Sequence, residues 1–414
     1  MFSNTQLLII GTVWPEPKSS AAGLRMMQLI EFFLNKGMEI TFACNASNFE
    51  FSEDLKALDI KTELIKVNDS SFDELLIELK PDVVIFDRFI TEEQFGWRVA
   101  GKCPDAIKIL DTEDLHCLRH GRHKALKEGR AFSNDDLNSD HARREIASIY
   151  RCDLSLIISQ AEMNLLTEFF KIDDSLIHYL PFMMRKITDE EKNKSPNFIE
   201  RVHFISMGNF LHEPNWDAVR YLKEEIWSLI RNKIPSAELH IYGAYSSQKV
   251  EQLHNEREGF LIKGRAEDVS KVMMKSKVLL APLRFGAGLK GKLVDGMKFG
   301  IPSVTTETGC EGMKSDSDWG GYIENEPSLF AEKAIRLYQD QKEWKVLQEQ
   351  GFKTFNAMFD KSEIYPHFTK RLENLKNGIK QHRKRNFIGS ILNMNIHQSY
   401  KYMSKWIEEK NKNF

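Results

Sequence analysis

The residues best placed to do chemistry lie in one run, APLRFGAGLKGKLVDGMKFGIP, from Ala281 to Pro302. An apolar stretch ends at Ala281, a loop follows with Arg284, Gly286, Gly288 and Gly291, and helical spacing runs from Lys290 to Phe299. Glycine lets a backbone approach a ligand closely and adopt positive φ. A helix N-terminus offers unpaired N–H groups and partial positive charge. Lys290 and Lys292 add two full charges at that place, so the run reads as a seat for a diphosphate. Asp295, one turn into the helix, is placed to accept hydrogen bonds from two neighbouring ribose hydroxyls. The plain structural alternative is a tight loop whose Lys292 and Asp295 form an (i, i+3) surface pair. The run does not complete the G-x-x-x-x-G-K-[ST] of a P-loop, nor does it follow a chain's first strand as the dinucleotide fingerprint does.

A second group follows the apolar run Ile107–Leu110: Asp111-Thr-Glu-Asp-Leu-His-Cys-Leu-Arg119. Asp111, Asp114, His116 and Arg119 fall at or near the carboxyl edge of a strand, where open α/β sheets bind ligands. Gly23 and Arg25 stand in the corresponding place after the first strand. The alternative for the second group is a charged helix start with Asp111 as N-cap. His120, Arg122, His123 and Lys124 continue it as a basic cluster, facing either an anionic acceptor or solvent. No Ser-His-Asp or Cys-His arrangement for nucleophilic catalysis stands out.

These groups need strands to hold them. Gln6–Ile10, Glu39–Ala43, Thr62–Val67, Val83–Phe86, Ile107–Leu110 and Leu154–Ile158 read as buried strands, with helical patterns at Leu24–Leu34, Phe72–Leu79 and Glu92–Val99 between them. The polar stretch Lys186–Asn197 has no apolar period and reads as a linker. Alternation then restarts, with strands at His203–Met207, Glu238–Tyr242, Phe260–Lys263, Val278–Ala281 and Ser303–Thr305 and helices at Asp217–Ile230, Val269–Lys275 and Lys290–Phe299. Strand–helix alternation implies parallel sheets covered on both faces. The expected fold is therefore α/β: two doubly wound Rossmann-like domains, residues 1–185 and 198–375, joined by the linker 186–197 and followed by a basic helical tail, 376–414. Both halves open with Gly-x5-Pro after their first strand, Gly11–Pro17 and Gly208–Pro214. Two such edges facing each other form one cleft.

The composition of the 414 residues fits this picture. Lys+Arg number 58 and Asp+Glu 60, a formal net charge of −2, which excludes a uniformly basic nucleic-acid binder. That sum conceals a dipole: residues 376–414 hold nine Lys/Arg and two acids, or +7, leaving −9 on the remainder. The tail reads either as a solvated helical end packed back by Tyr400, Tyr402 and Trp406, or as a handle for an anionic membrane face or polyanionic acceptor. The five cysteines contain no C-x-x-C pair and fit a reducing compartment. The N-terminus lacks a signal-peptide pattern, and no apolar run approaches the ~20 residues that span a bilayer. A cytoplasmic protein, at most peripheral to a membrane, is expected.

The second half resembles the C-terminal domain of GT-B glycosyltransferases, of the retaining group 1, family 4-like type that includes sucrose synthases and bacterial mannosyltransferases. The resemblance is carried by Met207-Gly-Asn-Phe210, Pro214-Asn-Trp-Asp-Ala218, Leu239-His-Ile-Tyr-Gly243, Gly264-Arg-Ala-Glu-Asp268, the run from Ala281 to Thr306, and Gly309-Cys-Glu-Gly312. These stand in the family's order over about Val202–Met313. The first half is similar more loosely, through Gly23, Leu24-Arg25 and Lys36-Gly-Met-Glu-Ile40.

The resemblance implies a nucleotide-diphosphate-sugar donor held mainly by the second domain, through Gly208, Asn209, Arg284, Gly286, Gly288, Lys290, Lys292, Asp295 and Glu311. Asp295 stands where the family has its ribose-binding Glu. Ala287 stands where the family has a second Glu that contacts the transferred sugar, and Asn209 and Asn215 lie where it has an Arg and a Lys. The loop at Arg265-Ala-Glu-Asp268 lies by the nucleobase in the family. His116, Lys290 and Lys292 are the expected catalytic groups. Gly23, Arg25, Asp111, Asp114 and Arg119 are expected on the side of the acceptor, a glycan, lipid-linked or small molecule. The transfer is expected to be retaining and metal-independent, with no metal site and no cofactor beyond the donor itself. A GT-B nucleotide-sugar epimerase, or a GT-B pseudoenzyme that binds without transfer, are the competing readings. Nucleic acid is not an expected partner.

Overall fold

The computed structural model describes residue 2 and residues 4–47, 51–313 and 319–394, together with residues 402, 403, 406 and 410. Thirteen strands form two sheets among these residues. The first domain contains β1 (Gln6–Gly11), β2 (Glu39–Cys44), β3 (Lys61–Leu64), β4 (Val83–Asp87), β5 (Ile107–Asp111), β6 (Leu154–Ile157) and β7 (Ile177–Tyr179), in the order β3-β2-β1-β4-β5-β6-β7. The second contains β8 (Val202–Met207), β9 (Leu239–Tyr242), β10 (Phe260–Gly264), β11 (Ser276–Ala281), β12 (Ser303–Thr305) and β13 (Gly321–Ile323), in the order β10-β9-β8-β11-β12-β13. Every pairing is parallel. The expected α/β class with two doubly wound Rossmann-like domains is the observed one.

The burial pattern explains why apolar runs form these strands. Successive residues of a strand point to opposite faces, so a sheet covered on both sides needs apolar residues at every position. In β1, Leu7 and Ile9 enter one core while Leu8 and Ile10 enter the other. In the second sheet Phe204, Val278 and Leu280 face one core, and Ile205, Leu279 and Ala281 face the other.

The structure adds detail to the organisation of the chain. Residues 186–197 are ordered: Thr188 and Glu191 form a capping box on the helix Asp189–Lys194, and Asn356 holds the Ile187 backbone by both N–H and C=O at 2.8 and 3.0 Å. Residues 361–375, expected within the second domain, pack on the first. There Phe368, Leu372 and Leu375 of the helix Lys361–Arg385 join the core of Phe32 and Phe33. Apolar surface at the C-terminal end of the chain is thereby buried on the N-terminal half. Beyond it, the two described tail aromatics do not pack back: Tyr402 and Trp406 are each 63% exposed. Tyr400, Lys401, Lys405 and Lys412 lie outside the described residues. No described helix is long and apolar enough to cross a membrane.

The twin Gly-x5-Pro loops diverge locally. Pro214 lies in the first turn of the helix Glu213–Tyr221, whereas Pro17 precedes Ser20, the N-cap of the helix Ala21–Leu34. The helix expected over Asp217–Ile230 begins at Glu213 and reaches Lys233, with a π-helical turn at Leu222–Ile226.

Candidate active site

The glycine-rich loop leaves β11 and enters the helix Gly291–Lys298, with Lys290 as N-cap and no side chain capping that helix. Lys290 is buried and gives its ammonium to the Gly288 carbonyl at 2.7 Å. Lys292 gives its own to Asn215 Oδ1 at 2.8 Å. Neither lysine has a carboxylate at ion-pair distance among the described residues. Burial and the neighbouring Lys290 charge push Lys292 down to about 7. Burial also lowers Lys290, against the pull of Glu311. Burial pushes Asp295 up to about 6, and its carboxylate accepts no hydrogen bond among the described residues.

Asn215 ties this helix to the first loop of the second domain. Its Nδ2 donates to the Asn209 carbonyl at 2.9 Å, and Asn209 Oδ1 accepts the Leu211 amide. A Cβ on Gly208 would meet Asn215 Cγ at 2.6 Å, so Gly208 is small to admit Asn215. The expected donor residues Gly208, Asn209, Lys290 and Lys292 are thus brought into one connected arrangement. Arg284 departs from it: its Nε donates to Asp217 Oδ2 at 2.9 Å and the guanidinium lies 4.5 Å from the Tyr221 ring. Its charge is committed to the helix Glu213–Tyr221.

The first domain meets this loop at close range. Gly288 has φ +63°, and a Cβ there would stand 2.9 Å from the Asp114 Cβ. Arg122 donates to the Gly286 carbonyl at 2.9 Å and forms a two-pronged ion pair with Glu311 at 2.6 and 2.7 Å. Although burial opposes it, Arg122 holds Glu311 below the usual carboxylate range. Ala287 is buried in the apolar cluster of Leu110, Leu115 and Leu118 of the first domain.

His116 opens the helix His116–Lys127. Its Nε2 lies 3.4 Å from Asp114 Oδ1, and its ring packs edge-on against Phe89. Burial, with Arg119 and Arg88 nearby, pushes His116 down to about 3, so it is neutral at pH 7. Asp114 pairs with Arg119, and against the upward push of burial this holds Asp114 well below its usual value. The amides that begin this helix are already taken: Glu145 accepts those of His116 and Cys117, and Glu162 that of Leu115. Unlike Gly291–Lys298, this N-terminus has no free amides at those positions to offer an anion.

Two expected acceptor-side residues are withdrawn from the cleft. Arg25 and Asp111 are completely buried; Arg25 binds both Asp111 oxygens at 2.8–3.2 Å and the Leu180 carbonyl at 2.6 Å. Gly23 is also structural, because a Cβ there would meet the Glu16 backbone at 2.4 Å. Gly23 and Arg25 follow β1 and Asp111 ends β5, but their side chains or spacing serve the first domain's interior. Asp114, His116 and Arg119 remain partly accessible.

His116 and His120 stand four residues apart on one helix, a spacing that can serve a metal. Here the rings diverge, since His120 stacks on His141 at 4.1 Å. Sequence reasoning missed three residues. Arg88, at φ +71° after β4, donates to Thr12 at 2.6 Å. Glu162 follows β6 and bonds both domains. His212 precedes the helix Glu213–Tyr221, where burial and the cations Arg119 and Lys292 push it down to about 4. The carboxyl-edge rule that located His116 applies to all three, because each follows a strand.

A mouth region joins the two domains elsewhere. The Arg265 guanidinium lies 4.1 Å from the Phe51 ring, and Tyr245 donates to Glu16 at 2.7 Å. Loops after β9 and β10 are thereby held to the loops after β1 and β2.

Two Rossmann-like domains facing one cleft, with a C-terminal helix crossing back to the first, define the GT-B fold. Residues 201–340 match the family model described as glycosyl transferases group 1. Solved structures agree on the fold. Sucrose-phosphate synthase from Thermosynechococcus elongatus superposes with a TM-score of 0.68 at 12% identity, over 90% of this chain and 99% of that one. Anabaena Alr3699/HepE in complex with UDP and glucose gives 0.67 at 14%, over 90% and 100%. The pneumococcal O-GlcNAc transferase GtfA in complex with UDP and GlcNAc gives 0.67 at 11%, over 90% and 99%. No curated protein sequence matches this chain.

Proposed function

We propose that this chain is a glycosyltransferase that moves a sugar from a nucleoside-diphosphate sugar to an acceptor, with retention and without a metal at the diphosphate. One observation carries the reading: Lys290 and Lys292 sit at an uncapped helix N-terminus with only neutral oxygen partners. Two ammoniums so held repel each other and are stabilised by a dianion. Departure of a nucleoside diphosphate builds negative charge on its phosphate oxygens, and cations fixed there beforehand lower the barrier. The lysines supply the neutralisation that a metal provides elsewhere. Retention rests on the resemblance of the second-domain motifs.

Asp295 takes the ribose hydroxyls in this reading. The base lies toward Arg265 and Tyr245. UDP is the first nucleotide to test, since two of the similar structures hold it. His116, neutral at pH 7, serves as a hydrogen-bonding group for the sugar rather than as a general acid. Asp114 and Arg119 face the acceptor.

Calorimetric titration tests the site. Lys290→Ala should weaken nucleoside diphosphate binding and slow transfer, and Asp295→Ala should weaken nucleoside binding. Unchanged affinity for UDP, GDP and ADP alike in Lys290→Ala would displace the phosphate site. A second reading, donor binding without transfer, is favoured by Ala287, which is buried among first-domain side chains where the family has a sugar-contacting Glu. Saturable donor binding with neither transfer nor slow donor hydrolysis would select it.

The acceptor side includes a membrane face. Phe387, Ile388, Ile391 and Met394 of the helix Phe387–Met394 are exposed, directly after the basic Lys384 and Arg385. Such a helix favours anionic lipid and a lipid-linked acceptor. Flotation with anionic and neutral vesicles tests this.

A further inference from the structure

We propose that His203, Glu238 and His240 form a binding site for a divalent transition metal, zinc by the chemistry of its donors, at the end of the second domain opposite the cleft. The topology places it there. β8 and β9 run parallel, with Phe204 beside Leu239, so their first residues are neighbours. Their carboxyl ends carry Gly208 and Gly243 at the cleft. From His203 to Gly208 the strand rises roughly 16 Å, so the site lies apart from the sugar chemistry.

The three side chains converge. The two imidazoles stack with centroids 4.0 Å apart. Glu238 Oε2 lies 2.9 Å from His240 Nε2 and 3.4 Å from His203 Nδ1. All three donor atoms fall within 4.8 Å of one another. A tetrahedral zinc with bonds of ~2.0–2.2 Å needs its ligand atoms about 3.3–3.6 Å apart. Small side-chain rotations therefore replace the hydrogen bond by three metal bonds, with water in the fourth position.

Donor chemistry agrees. Two imidazoles and one carboxylate suit zinc and its neighbours better than calcium or magnesium. A metal binds neutral imidazole and ionised carboxylate. Partial exposure leaves the ion a path in.

The backbone supplies a clean test. His203 has φ +64°, a conformation natural to glycine. His203→Gly therefore removes a ligand while relieving the backbone, so lost binding cannot be ascribed to unfolding. The full chain, stripped with chelator, is titrated with zinc chloride against a competing dye, and with cobalt chloride for its absorption. The wild type should bind one equivalent, show the visible band of a tetrahedral cobalt site, and melt at higher temperature with zinc. His203→Gly and His240→Ala should each lose at least tenfold in affinity while their UDP affinity equals that of the wild type. Absence of saturable zinc binding in the wild type, or zinc affinity unchanged from wild type in both variants, for example through the His120–His141 pair, would overturn the site.

Discussion

Glu162 in the first domain accepts the backbone N–H of Gly288 in the second at 2.8 Å, through the same oxygen that accepts the Leu115 amide at 2.9 Å. One carboxylate oxygen thus fixes the glycine-rich loop against the start of the His116 helix. The other oxygen is buried without a hydrogen-bond partner among the described residues. This bond sets the distance between the lysine pair and the first-domain wall more directly than the surface contacts at the mouth do.

Glu162 should make the fold sensitive to pH. Burial, with Asp114 nearby, pushes it up to about 8 from an ordinary 4.5. The folded protein then holds a proton that the unfolded chain releases between those values. Stability attributable to this group is complete below about pH 4.5 and falls as pH rises through 8. Glu162→Gln keeps an oxygen for both amides and cannot ionise. Urea denaturation should show the variant close to wild type at pH 5 and more stable than it at pH 8. Parallel pH profiles for the two proteins would refute the assignment.

That bridge was not legible in the sequence, and the reason is physical. Apolar runs announce strands because a parallel sheet buries both faces, so β1, β4, β5, β8 and β11 were readable from local pattern. β7 (Ile-His-Tyr) and β13 (Gly-Tyr-Ile) carry no run of buried apolar residues, since all but Ile177 are only half-buried, so no apolar stretch announces them. The helix Asp140–Arg151 was missed because most of its residues are polar or charged. The proposed diphosphate seat is readable because its glycines, lysines and helix start are contiguous. Glu162 and Gly288 are 126 residues apart, and Arg25 and Asp111 are 86 apart. Pairings of that kind depend on how sheets stack, which composition and spacing do not encode.

Arg25 and Asp111 make a second prediction. Their ion pair has no solvent access, and the Leu180 carbonyl completes it. Removing one partner leaves an uncompensated buried charge, which typically costs about 3–5 kcal/mol. Arg25→Ala and Asp111→Ala should each lower stability by that order in chemical denaturation. A cleft role would instead leave stability unchanged and raise the KM for the acceptor.

Ala287 offers a third. The GT-B transferases that the second half resembles place a Glu here, but this side chain is 8% exposed in the cluster of Leu110, Leu115 and Leu118. Ala287→Glu would force a longer, charged group into that apolar contact. Overpacking alone costs about 1–3 kcal/mol, and an unpaired carboxylate adds to it. The variant should be less stable and transfer sugar no faster. Faster transfer at unchanged stability would mean that the loop opens this position to the donor.

Donor binding itself should have a narrow pH optimum, set by two groups at one helix. Lys292, at about 7, loses its positive charge as pH rises through that value. Asp295, at about 6, becomes protonated as pH falls through its own, and a protonated acid accepts ribose hydroxyls less well. The affinity for UDP should therefore peak between about pH 6 and 7 and fall on both sides. The limbs can be separated by substitution. Asp295→Asn should flatten the acid limb alone, since an amide does not titrate there. Lys292→Arg should flatten the alkaline limb alone, because guanidinium keeps its charge throughout. A diphosphate bound to Lys292 also raises the lysine's pKa. Binding above pH 7 should then take up a proton, seen as a dependence of the calorimetric heat on the buffer's ionisation enthalpy. A flat affinity profile from pH 5 to 8, with no proton uptake, would place the diphosphate away from Lys292.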